Sequence, residues 1–138
     1  MADAFLEITG LSKRFGAAEA LRDVSLSVGQ DELLVVLGPT GAGKTTLLRT
    51  LAGLESPESG SSRMGGRDVT HLAPAGRDVP LVFQNFSLYP NWTVRRNLEF
   101  PLKAPRRRTP RTEIDRRVNW AAELLRIEHL LDRRSQQL

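Results

Sequence analysis

Apolar positions alternate with polar ones early in this chain and recur at helical spacing later. Phe5-Leu6-Glu7-Ile8-Thr9-Gly10-Leu11 reads as a strand ending at a glycine, and Val24-Ser25-Leu26-Ser27-Val28 as a strand with one buried face. Leu33-Leu34-Val35-Val36-Leu37 is unbroken and aliphatic, the pattern of a strand covered on both faces. Leu47, Leu48, Leu51 and Leu54 follow at helical spacing, with Gly53 as a stop signal. Ser56-Pro57-Glu58-Ser59-Gly60 is a turn, and residues 61–78 are a polar, glycine-rich connection of weak strand character. Val79-Pro80-Leu81-Val82-Phe83 is a short apolar run in which Pro80 removes one ladder donor. Pro101, Pro105 and Pro110 bracket a linker. Beyond it Ile114, Val118, Ala121 and Leu125 step by four, three and four, marking one apolar helix face. Strands and one loop-bound helix thus precede a helical second half, which predicts an α/β fold with an appended helical subdomain.

Composition narrows the class. The 138 residues are 40% hydrophobic and 26% charged, as in an ordinary globular chain, and amount to one small domain or a piece of a larger one. No apolar run approaches the ~20 residues of a membrane-spanning helix. The acidic N-terminus lacks the basic start of a signal peptide. With no cysteine, disulfides, thiolate metal sites and cysteine nucleophiles are excluded. The net charge of +4 is uneven: residues 1–91 carry 8 basic and 10 acidic groups, residues 92–138 carry 12 and 6. The excess includes Arg95, Arg96, Lys103, Arg106-Arg107-Arg108, Arg111, Arg116 and Arg117. A solvated arginine-rich face accounts for it, and nucleic acid or an anionic membrane surface is the alternative. No aromatic residues are interleaved with these arginines, which argues against a stacking platform for single strands.

The chemistry concentrates between the aliphatic run and the first helix. Gly38-Pro39-Thr40-Gly41-Ala42-Gly43-Lys44-Thr45-Thr46 contains G-x-x-x-x-G-K-[ST], a P-loop, with a strand before it and a helix after it. By average residue frequencies this pattern arises by chance in roughly one chain of this size in two hundred. Glycines let the loop wrap phosphate oxygens with its own amides, and some positions need left-handed torsions. The amides of Gly41, Ala42, Gly43, Lys44 and Thr45 can converge on one anion, helped by the positive end of the helix. Lys44 supplies a charge between β- and γ-phosphates, the Thr45 hydroxyl a magnesium ligand, and Thr46 a reach toward the α-phosphate. The loop alone does not separate a kinase, a GTPase, a helicase or a transporter motor.

Leu11-Ser12-Lys13-Arg14-Phe15-Gly16, the P-loop, Gly53–Gly60, Val82-Phe83-Gln84, Leu88-Tyr89-Pro90-Asn91-Trp92-Thr93-Val94 with Asn97, and Leu130-Leu131-Asp132-Arg133 follow in an order that resembles the N-terminal part of the ATP-binding subunit of an ABC transporter. The resemblance spans nearly the whole chain. It implies a P-loop NTPase core over residues 1–91, with β-rich N-terminal strands, and a helical subdomain over 92–138. It implies ATP and Mg²⁺ as ligands, Phe15 stacked on adenine, and Gln84 beside the magnesium and γ-phosphate. It also implies docking of the Tyr89–Trp92 stretch on a transmembrane permease, dimerisation of ATPase subunits in the complete protein, and a cytoplasmic position on the inner face of the plasma membrane. No nucleic-acid partner is expected. Asn85–Pro90, Phe100–Lys103, Gly66–Thr70 and Pro74–Asp78 most resemble importers of sugars, polyols and glycerol phosphates. Outside the resemblance, Phe15, Tyr89 and Trp92 read equally as core aromatics, Gln84 as a surface amide, and His71 and His129 as surface or packing residues.

The 138 residues contain no Ser-Gly-Gly-Gln signature and no four-aliphatic run ending in Asp-Glu, and they stop before the family's switch histidine. The chain is therefore expected to be a fragment that keeps the phosphate clamp without the general base. Its sheet is expected to be incomplete, with an exposed central strand edge. Ser61-Ser62-Arg63-Met64, polar where the family alternates aliphatics, predicts a weak first hairpin. Three readings stand: a transport ATPase, a binding-only module, and a nucleic-acid-associated P-loop ATPase.

Overall fold

β1 (Ala4–Phe15) and β2 (Ala18–Gly29) form a long antiparallel hairpin that turns at Gly16-Ala17, where Gly16 has φ +59°. This computed structural model describes residues 4–83, 87–105 and 107–138. The chain divides into two units, one ending at Leu81 and the other beginning at Val82.

In the first unit β3 (Ser59–Met64) pairs with the other side of β1, and β4 (Arg67–Asp68) pairs with β3. The sheet runs β2-β1-β3-β4, and all its pairings are antiparallel. Ile8 faces Leu26 on one side and Ser62 on the other. β1 runs past Leu11 through the polar Ser12-Lys13-Arg14, because ladder hydrogen bonds hold it where hydrophobic alternation has lapsed. The serine-rich β3 forms as a full partner of β1. Thr70 stands in for the missing aliphatics there: its Oγ1 accepts a 2.9 Å hydrogen bond from the buried Ser62 N–H. Ser62 Oγ itself has no partner among the described residues.

α1 (Lys44–Leu51) packs Leu47 against Ile8, Leu11 and Leu21, and these four form a buried cluster of the unit. Gly53, at φ +78°, follows the helix as expected of a stop. The C-terminal carbonyls of α1 are held by an arginine from α2 (Pro74–Arg77). Arg77 Nη1 donates to Thr50 O at 2.8 Å and Leu51 O at 3.0 Å, Nε to Leu72 O at 2.8 Å, and Nη2 to Thr70 O at 2.9 Å. Burial pulls its pKa below the usual arginine value.

The aliphatic run departs from expectation. Leu33–Leu37 form no strand, and all five are exposed, Leu33 at 88% and Leu37 at 86%. A strand buried on both faces needs neighbours on both edges and layers above and below. β1 and β3 are paired on both sides and the open edges of β2 and β4 do not take up this run, which leaves it without a ladder partner among the described residues.

In the second unit α3 (Val94–Glu99) and α4 (Arg111–Leu125) enclose a core of Val94, Ile114, Val118, Ala122 and Leu131. The inward face of α4 is thus Ile114-Val118-Ala122. Ala121 is only half-buried, and Leu125 is 59% exposed. The helix ends at that residue, with Arg126 left-handed at φ +58°, so Leu125 has left the packed face. Among the described residues no helix is long and apolar enough to cross a membrane.

Candidate functional site

The glycine loop sits where the sequence puts it, between the exposed aliphatic run and α1. Gly41 and Gly43 adopt left-handed torsions at φ +85° and +84°, which only glycine enters at little cost. Gly43 is constrained twice, because a Cβ there would collide with the Ala20 carbonyl oxygen of β2. Gly41 has open space around it, so it is required for its torsion alone. Ala42 N–H donates to Pro39 O at 3.2 Å, tightening the loop into a turn.

α1 begins directly at Lys44. Its first helical bond is Leu47 N–H to Gly43 O at 2.8 Å, and no side chain caps this end. The amides of Lys44, Thr45 and Thr46 therefore precede the helical ladder, as donors do at any helix start. Lys44 Nζ donates to Gly38 O at 2.7 Å and Pro39 O at 2.8 Å, which holds the ammonium over the loop. Thr45 is exposed and Thr46 half-buried. Gly38, Pro39, Thr40, Gly41, Ala42, Gly43, Lys44, Thr45 and Thr46 thus form one continuous surface. An apolar hollow of about 370 Å³ lies beside it, with Leu21 and Val24 of β2, Val36 and Leu47 in its walls.

Phe15 ends β1 on the same hairpin whose second strand touches Gly43. It is 49% exposed, not a core aromatic, and Lys13 Nζ lies 5.2 Å from its ring centroid. Gln84 lies outside the described residues. His71 and His129 are both exposed, and no group of three or more His, Asp and Glu gathers to hold a metal among the described residues.

The second unit carries an aromatic surface. Tyr89 stacks on Trp92 with centroids 4.2 Å apart, and Phe100 meets both edge-on at 5.0 and 5.6 Å. Arg96 lies 4.1 Å over the Trp92 ring. Arginine and aromatic residues are thus in contact, contrary to the reading of the linear sequence. Trp92 lies just before the Thr93 cap of α3, and its four-residue spacing from Arg96 was the available signal.

Asn97 fixes the turn beneath these rings. Its Oδ1 accepts from Tyr89 N–H at 2.8 Å. Its Nδ2 donates to Tyr89 O at 3.2 Å, Thr93 O at 3.0 Å and Ser135 Oγ at 2.9 Å. Neither the tie to Ser135 nor the Arg77 clamp has a sequence signal, because each joins residues far apart in the chain.

Comparison with known proteins gives the family. The sequence model of the family described as ABC transporter matches residues 21–138. The chain is 48% identical over 135 residues to the sn-glycerol-3-phosphate import ATP-binding protein UgpC 1 of Rhizobium etli, covering 98% of this chain and 38% of that protein. It is 50% identical over 123 residues to UgpC of Rhizobium meliloti, covering 89% of this chain and 35% of that protein. The chain therefore spans little more than a third of these relatives. Among solved structures it is similar to MJ1267, an ATP-binding cassette of an ABC transporter, with TM-score 0.84 and 26% identity over 98% of this chain and 59% of that one. A nucleotide-free ATP-binding cassette from an ABC transporter matches with TM-score 0.82 and 25% identity, again over 98% of this chain and 59% of that one. With a glycine loop opening α1, a β-rich N-terminal sheet and a family match over most of its length, the chain belongs to the ABC transporter family, on its ATP-binding side.

Proposed function

We propose that residues 38–46 bind the phosphates of ATP, in a subunit that in complete form couples ATP hydrolysis to solute import, with carbohydrates and related solutes such as glycerol phosphates as the class. The observation that carries this reading is the join of two left-handed glycines to an uncapped helix start bearing Lys44. Backbone amides there have no competing side-chain acceptor, and Lys44 exchanges its two carbonyl partners for phosphate oxygens. Phe15 supplies an exposed ring for the base. Mg²⁺ fits the donors present, because that ion keeps several waters and takes few protein ligands. The Thr45 hydroxyl and the phosphates would hold it, with Gln84 as the further ligand, and it would neutralise charge on the phosphates. Lys44 and Gln84 are the residues assigned to act on the γ-phosphate.

The Tyr89-Trp92-Phe100 surface is the proposed docking face for the transmembrane permease, since clustered aromatics, two of them exposed, suit an interface core. Peripheral attachment at the inner face of the plasma membrane and dimerisation of ATPase subunits belong to the same proposal. The second reading is a module that binds ATP without turnover. Thermal shift and isothermal titration with MgATP test it. Binding is expected in the wild-type chain and a loss of at least tenfold in Lys44→Ala, on the order of 1.4 kcal/mol. On the second reading ATP turnover is equal in the two. Unaltered binding in Lys44→Ala removes the phosphate assignment, and Lys44-dependent turnover removes the binding-only reading.

A further inference from the structure

α4 has two faces with different business. Ile114, Val118 and Ala122 point into the core, and at 3.6 residues per turn Glu113, Arg116, Arg117, Trp120 and Leu124 share the opposite side. Trp120 is 60% and Leu124 67% exposed, one turn apart. Arg116, Arg117 and Trp120 line a concavity of about 310 Å³. Both arginines bond to Glu113, Arg116 Nε at 2.7 Å and Arg117 Nε at 2.6 Å, so the trio carries one net positive charge. Exposed Arg108 and Arg111 add charge just before the helix, and exposed Glu123 is the acidic group nearest the other end. A single exposed leucine needs no explanation, but a tryptophan and leucine stacked on the water side of an amphipathic helix leave a large apolar surface uncovered.

We infer that the outward face of α4 contacts an anionic lipid bilayer, with Trp120 and Leu124 entering the headgroup region and Arg116, Arg117 and Arg111 meeting lipid phosphates. An aromatic and an aliphatic side chain flanked by arginines is what the membrane–water interface accepts. The charge matches: residues 92–138 hold 12 basic and 6 acidic groups, and anionic leaflets attract such segments. Nucleic acid shares the charge requirement, but Leu124 adds apolar area for which a phosphate backbone has no use. The surface lies within the second unit and does not depend on the nucleotide site.

The 138 residues include two tryptophans, so their Trp92→Phe variant leaves Trp120 as sole reporter. It is mixed with phosphatidylcholine vesicles, with and without phosphatidylglycerol. The expected result is a blue shift of Trp120 emission and quenching by brominated acyl chains with the anionic vesicles only. Arg116→Gln and Arg117→Gln should each lower partitioning roughly fivefold. Trp120→Ser with Leu124→Ser should abolish sedimentation with vesicles at unchanged far-ultraviolet circular dichroism. Should that double variant lose helicity, brominated-lipid quenching in Trp92→Phe decides alone. Absent quenching, equal partitioning into neutral vesicles, or a Trp120 response to duplex DNA without one to vesicles overturns the proposal.

Discussion

At the scale of single residues, Arg77, Gly41 and Gly43 each meet a distinct demand in the first unit. Arg77 satisfies carbonyls of Thr50, Leu51, Leu72 and Thr70 at once, so Arg77→Met should cost about 2–4 kcal/mol. Amide hydrogen exchange at the end of α1 should accelerate accordingly. The loop glycines give a graded pair. Gly41→Ala meets open space and pays only for its torsion, about 1–2 kcal/mol. Gly43→Ala meets the Ala20 carbonyl as well and should be the more disruptive of the two by thermal melting and by MgATP affinity. The P-loop residues were legible in advance because their pattern is local and contiguous. Arg77 was not, because its role depends on carbonyls up to 27 residues away.

Among the elements, α4 shows what periodicity captures and what it misses. Ile114 and Val118 follow the helical stripe, whereas Ala122 replaces Ala121 and Leu125 is lost to solvent because the helix stops there. The first turn of α4 also has a titration. The hydrogen bonds from Arg116 and then Arg117 hold the Glu113 carboxyl at about 2, against an ordinary 4.5. A depressed acid contributes stability above its ordinary value and loses it as pH falls through the depressed one. Helicity monitored between pH 5 and pH 2 should therefore drop more in the wild type than in Glu113→Gln, which lacks the group that titrates. The run Leu33–Leu37 departs from its predicted strand for a different reason. Its composition reports the burial it is suited to, while strand formation depends on partners that the pattern of five residues cannot supply.

For the whole molecule, the two cores are separate: Ile8, Leu11, Leu21 and Leu47 in one unit, Val94, Ile114, Val118, Ala122 and Leu131 in the other. Leu33–Leu37 belongs to neither, and an unpaired aliphatic strand sequence invites pairing with another chain. Replacing Val35 and Leu37 by lysine should raise the soluble fraction and suppress concentration-dependent light scattering, with the melting temperature held within a few degrees. By contrast Leu11→Ala, at 0% exposure, should cost about 2–5 kcal/mol. The Asn97 amide, finally, ties the aromatic turn to a serine 38 residues later with a 2.9 Å bond. Cutting that one stitch, as in Asn97→Ala, therefore loosens both sides of the seam at once, the Tyr89 turn and the Ser135 end.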